Sequence, residues 1–344
     1  MKTLKILGVA LILCAAAPAQ WTTQQSGTTV RFRGVSAVSA SVAWASGSGG
    51  TFARTTDGGA TWHSSVVAGA SQLDFRDVQG VDAKTAYLLS IGPGEASKIF
   101  KTTDGGTNWI LQFTNRNPKA FFDAFAFWDA RSGIAVSDPV DGKFVLIKTT
   151  DGGTTWNELP RENLPASIDG DGAFAASGTC ITVQGKDNVW FGSGGGTVAR
   201  VFRSTDGGAS WKAAPTPIKA GNASSGIFSL AFKDALNGVV VGGDYRKEKE
   251  PGYNVATTTD GGATWVLGAA SHPLEFRSAV AYVPGTRGPI MVAVGPSGSD
   301  YSTDNGASWR SLTGPGFHAF SVVGANAGWG VGENGGIARC SIGK

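Results

Sequence analysis

The chain has 344 residues with a formal charge of +3, and it combines 51 glycines and 11 tryptophans with only 16% charged residues. Charge this close to neutral, with no run of one sign, gives no electrostatic reason to seek nucleic acid or an anionic membrane. The three cysteines and three histidines are scattered, without C-x-x-C or His-rich spacing, so no metal or cofactor is expected.

Lys2 and Lys5 precede the apolar run Ile6 to Ala17, which ends at Ala17-Pro18-Ala19. That order is the order of a secretory signal peptide, and the run is too short to span a bilayer. Residues 1–19 are expected to be removed, leaving an exported protein in the periplasm or outside the cell. An uncleaved anchor is the alternative reading. Loss of the two lysines brings the charge to +1, from 27 Lys and Arg against 26 Asp and Glu.

Residues 20–344 carry an internal repeat, S/T-x-D-x-G-x-x-W, six times. Its first copy is Thr55, Asp57, Gly59 and Trp62, and its last is Ser302, Asp304, Gly306 and Trp309. The chemistry is that of a hairpin turn. The Asp and hydroxyl side chains bond backbone N–H groups, glycine supplies positive φ, and the Trp starts the next strand. At about 25 cal/mol per Å² and roughly 200 Å² per ring, each Trp contributes at most about 5 kcal/mol. These aspartates therefore read as structural.

Each copy closes a longer unit. Alternating runs such as Phe32-Arg33-Gly34-Val35 and Val42-Ala43-Trp44-Ala45-Ser46 stand upstream of the turn. Alternation at period two predicts strands. Four short strands in about 45 residues predict a propeller blade. A seventh set, Phe317 to Cys340, follows the last repeat without a fourth strand, while Trp21 stands eleven residues before Phe32, as Trp265 does before Phe276. The expected fold is all-β, a single seven-bladed propeller over residues 20–344, its ring closed by the N-terminal strand completing the C-terminal blade. Cys180 and Cys340 then fall in separate blades and read as buried hydrophobes, although export permits a disulfide. A monomer is expected.

The six repeats resemble the bacterial neuraminidase repeat, or Asp-box, propellers. The openings Phe32-Arg33 and Phe75-Arg76, with seven units, are most similar to the photosystem II stability and assembly factor propellers and their relatives in non-photosynthetic bacteria. That resemblance covers Trp21 to Ile342 and implies a central site where arginines engage a partner protein. The matching positions here are Arg33, Arg76 and Arg277. Blade 3 has Phe121-Phe122-Asp123 instead, and Phe174, Phe228 and His318 stand near the same place in blades 4, 5 and 7, so the arginine ring is incomplete. Some relatives carry an oxidoreductase label, but the sequence holds no flavin, nicotinamide or haem motif.

In a propeller the B–C loops and D–A links meet on the face away from the repeated turns, and sites belong on loops held by a rigid scaffold. Arg33, Arg76, Arg277, Asp123, His318 and Glu95 are the candidate ligand-binding residues there. Arginines suit bidentate carboxylate recognition, so an envelope or secreted protein, an acidic small ligand or a glycan is the expected partner. The alternative is that these arginines pair with acids inside the pore. A second function class is glycoside hydrolysis, for which Asp138, Asp244, Glu333 and Tyr245 are the candidates. It needs paired carboxylates or a Tyr nucleophile beside an arginine triad, and the chain has no Arg-Ile-Pro segment near its N-terminus. The first reading of the three acids is a turn-stabilising or solvated role, and the catalytic one stands second to it. Asp169-Gly170-Asp171-Gly172 is too short of acids for a calcium loop.

Overall fold

A computed structural model of the chain describes residues 20–268 and 273–342. The expected signal segment, residues 1–19, and His272 lie outside the described residues. Seven antiparallel four-stranded sheets form the blades of a β-propeller. Blade 1 is Phe32–Ala37, Ala43–Gly47, Thr51–Thr55 and His63–Val66. The inner strands of the next five blades are Phe75–Gly80, Phe122–Phe127, Ile181–Gln184, Ser225–Phe232 and Ala279–Tyr282.

Blade 7 is Ala319–Val322, Gly328–Val331 and Ile337–Ser341, completed by Gln20–Gln24. Trp21 pairs with Cys340 and Gln24 with Ile337. Closure is more than a ladder. The Trp21 ring lies 4.3 Å from Phe317 and 5.6 Å from Phe320. Gln24 Oε1 accepts from the indoles of Trp62 and Trp329 at 3.0 and 3.1 Å, while its amide donates to Gly58 O at 3.1 Å. One amide side chain thus ties blade 7 to blade 1.

Hydrophobic clusters fill the spaces between successive blades. Trp44, Trp190 and Trp329, on the second strands of blades 1, 4 and 7, are at most 1% exposed. The indoles of Trp44 and Trp190 donate to backbone oxygens in the next blade, Asp82 at 2.9 Å and Gly261 at 2.8 Å. Blades 1 and 2 pack closely at Gly34, where an added Cβ would lie 3.1 Å from both Arg76 O and Asp77 Cα.

The repeated turns are built alike. In the first, Thr55 Oγ1 donates to Asp57 Oδ1 at 2.8 Å and accepts from Gly59 N at 2.8 Å. Asp57 Oδ1 also accepts from Thr61 N at 2.9 Å. Gly58 and Gly59 take φ of 76° and 86°, values that favour glycine. Hydrogen bonds from Thr61 hold the Asp57 carboxyl down at about 2, and those from Thr155 do the same for Asp151. In Asp206 and Asp304 burial pushes upward and is outweighed by the hydroxyls of Ser210 and Ser308. Folded values below the unfolded ones mean stabilisation that is complete above the unfolded carboxylate value and lost as pH falls through the folded one. Tryptophan fluorescence should therefore show the melting temperature dropping between about pH 4 and pH 2. Asp57→Asn with Asp151→Asn should flatten that drop, and an unchanged acid limb would contradict this role.

Candidate functional site

The site grows out of an irregularity in the inner strands. Strand pairing in blade 1 runs Phe32 with Gly47 and then Gly34 with Ser46, skipping Arg33. Blades 2, 3 and 5 skip Arg76, Asp123 and Phe228 in the same way. Such a bulge adds an unpaired residue and re-aims its side chain. Here it turns that side chain toward the mouth of the pore, on the end formed by the B–C loops and D–A links.

Counting from paired residues gives the equivalents elsewhere. In blade 7, Ala319 pairs with Val331, which places His318 at the bulge position. In blade 6, Ala279 pairs with Val294, which places Ser278 there and moves Arg277 one step back, to the place Phe32 fills in blade 1. Arg277 is accordingly 5% exposed. Its Nε and Nη2 bond Asp300 Oδ2 at 2.7 and 2.6 Å, and its Nη1 bonds Phe276 O and Ser297 Oγ. The structure thus brings Arg33 and Arg76 together and holds Arg277 apart, in the acid pairing that was its alternative reading.

A cavity of about 670 Å³ opens at the pore mouth. Arg33 and Arg76 line one part of it with Arg31, which the sequence reading missed. Asp74 Oδ2 serves both Arg76 Nε, at 3.0 Å, and Arg31 Nη2, at 3.5 Å. Arg33 makes no ion pair among the described residues; its Nε and Nη2 both donate to one neutral acceptor, Ala176 O, at 3.2 and 2.9 Å. Burial, with the nearby Arg76 and Arg31, lowers the Arg33 guanidinium to about 9, so it remains charged at neutral pH.

Ala176 belongs to a strap. The link from blade 3 to blade 4 covers residues 159–180, against 67–74 for the link after blade 1, and its last part crosses the pore. Arg76 Nη1 donates to Ala175 O at 2.9 Å. Ser177 Oγ donates to Ser278 O of blade 6 at 2.7 Å, and Ala173 N donates to Asp138 Oδ1 at 2.9 Å. Gly172 pairs with Gly194, and Gly194 with Gly226, which anchors the start of the strap to blades 4 and 5. Asp171, its side chain fully buried, holds Arg200, Ile168 N and Ser193 Oγ. The strap is the floor of the cavity.

The acids divide by environment. Asp123 is 1% exposed, and burial, reinforced by Asp138, raises its carboxyl well above the ordinary range. Burial also raises Asp138, to about 6. His318 Nε2 lies 2.6 Å from Glu333 Oε1, yet burial and the neighbouring Arg33 push the imidazole down to about 4. The Glu333 contact pulls the imidazole the other way, upward, and is outweighed. Asp244, 5% exposed, accepts from Ser224 Oγ at 2.7 Å and Arg246 N at 3.0 Å, which fixes a loop. Of the four hydrolase candidates only Asp138 and Tyr245 line the cavity. Glu95 is exposed on a short 3-10 turn, Gly94–Ala96, and is not part of the lining. Phe174, on the strap, stacks on Phe228 at 3.9 Å, and Phe276 meets Phe228 edge-on at 4.7 Å.

The fold has solved counterparts. A structure of YCF48 bound to D1 peptide superposes with a TM-score of 0.64 at 18% identity, over 93% of this chain and 96% of that one. YCF48 from Cyanidioschyzon merolae gives 0.64 at 18% identity, over 95% and 99%. The GH74 xyloglucanase from Xanthomonas campestris reaches only 0.38 at 14% identity, over 84% and 59%. At these identities the YCF48 likeness establishes the propeller fold alone, and the xyloglucanase superposition carries no argument. No family model matches the chain, and no curated protein matches it.

Proposed function

We propose that this propeller is a non-catalytic binding or assembly factor that captures a partner protein through a carboxylate at Arg33, Arg76 and Arg31. The observation that carries this reading is Arg33 itself, a guanidinium between two other arginines whose partner is a neutral carbonyl. A guanidinium has five N–H donors, and Arg33 and Arg76 each commit two in the hydrogen bonds described above. A carboxylate can therefore dock without displacing the strap, on donors already fixed in place. Preorganisation of this kind lowers the entropic cost of binding. The YCF48 neighbour bound to a D1 peptide supports a peptide as the partner. The N-terminal segment 1–19 supports export, so the partner is an envelope or secreted protein.

Calorimetry with the chain from Gln20 onward tests this. The probe is acetyl-Gly-Gly-Ala-Phe with a free carboxylate, beside its C-terminal amide. The free acid should bind at least about tenfold more tightly, since charge-assisted hydrogen bonds contribute about 1.5–3 kcal/mol each. Equal binding of the two would remove the carboxylate from the account.

A further inference from the structure

The cavity has a second half. Phe174, Phe228, Phe276 and Tyr245 line it with Arg31, Arg33 and Arg76. Phe174 and Phe228 stack nearly parallel, 11° apart, and the Tyr245 ring stands edge-on to Phe228 at 6.1 Å. Tyr245 is 42% exposed, so this aromatic wall reaches from the buried floor out to solvent.

One residue of the strap links the two halves. Ala176 gives its carbonyl to Arg33, while its methyl packs in the cluster of Phe228 and Phe276. A residue whose oxygen rests on the arginines thus places its side chain on the aromatic wall. The neighbouring groups also handle peptide backbone, with Arg76 on Ala175 O and Asp138 on Ala173 N. Resting on the carboxylate-capture reading above, we infer that the site selects peptide C-termini by their last side chain. The terminal carboxylate takes the free donors of Arg33 and Arg76, and an apolar or aromatic terminal side chain lies against Phe174, Phe228 and Tyr245.

The test is a series of free-acid peptides, acetyl-Gly-Gly-Ala-X, with X as Phe, Leu, Gly or Asp, titrated calorimetrically into the chain from Gln20 onward. The Phe and Leu peptides should bind about tenfold or more tighter than the Gly peptide, from burial of one apolar side chain. The Asp peptide should gain nothing over Gly. Tyr245→Ala, at an exposed ring, should narrow the Phe-to-Gly gap by about threefold, as expected for one aromatic contact. Phe, Leu, Gly and Asp peptides binding alike would overturn the selectivity while leaving carboxylate capture intact. Failure of every free acid would remove carboxylate capture and the inference with it. N-acetylphenylalanine binding as tightly as the Phe peptide would make the ligand a small aromatic acid and overturn the peptide assignment.

Discussion

Arg33→Ala combined with Arg76→Ala should weaken binding of the Phe-ended free-acid peptide by at least about a hundredfold. Each substitution removes charge-assisted hydrogen bonds at about 1.5–3 kcal/mol apiece, and every 1.4 kcal/mol is about tenfold. The fork geometry matters as well as the charge. Arg33→Lys with Arg76→Lys keeps two cations but loses the planar donors, and should recover only part of the affinity. The same arginines hold Ala175 O and Ala176 O, so the alanine pair should also loosen the strap. Faster amide exchange over residues 173–177, with the other blades unchanged, would show this. If the alanine pair loosens the strap but binds peptide normally, the arginines serve only the floor of the cavity.

Removing Gln20–Gln24 should have the largest effect on the fold. Its loss strips Trp21 from Phe317 and Phe320 and leaves the indoles of Trp62 and Trp329 without Gln24. A lost aromatic of this size costs about 3–5 kcal/mol when fully buried. Each orphaned buried donor adds about 1–3 kcal/mol. The sum is comparable with the whole stability of a typical protein, about 5–15 kcal/mol. It also bares the Ile337–Ser341 edge, an invitation to pair with another chain. Thermal melting with light scattering should show a chain beginning at Gln25 losing its cooperative transition and self-associating. A synthetic peptide of residues 20–29 should restore the transition. A melting temperature within a few degrees of the chain beginning at Gln20 would mean that the ring does not depend on this closure.

Ring closure was legible from Trp21 and Phe32 because spacing within a repeat transfers from blade to blade. The same reasoning placed Arg33, Arg76, Asp123 and His318 at the pore mouth, since each stands beside an aromatic in its own unit. It misplaced Arg277 relative to them because Phe276-Arg277 looks like Phe32-Arg33 as text. Pairing of Ala279 with Val294 leaves Ser278 between, so Arg277 enters the buried position and meets Asp300. A single residue of register separates a pore arginine from an internal ion pair, and only the ladder reveals it.

Phe228 stands at the bulge position of its own blade and so carries the periodic signal, whereas Arg31 and Phe174 have none. Arg31 belongs to a link, outside the repeat. Phe174 lies on the strap, which answers to no other blade. Its length was the available clue, because structureless links beyond about 12–15 residues are uncommon and often functional. That clue could mark the segment without saying that its carbonyls would rest on the arginines. Tyr245 was singled out as a hydrolase candidate, yet in the structure it stands at the rim of the aromatic cluster.

The most direct test is a crystal structure of the chain from Gln20 onward with acetyl-Gly-Gly-Ala-Phe. The account predicts the terminal carboxylate within hydrogen-bonding distance of Arg33 and Arg76, the phenyl ring against Phe228 and Tyr245, and the strap still in place. Peptide bound elsewhere, such as along the outer strands, with the pore mouth unoccupied, would contradict it.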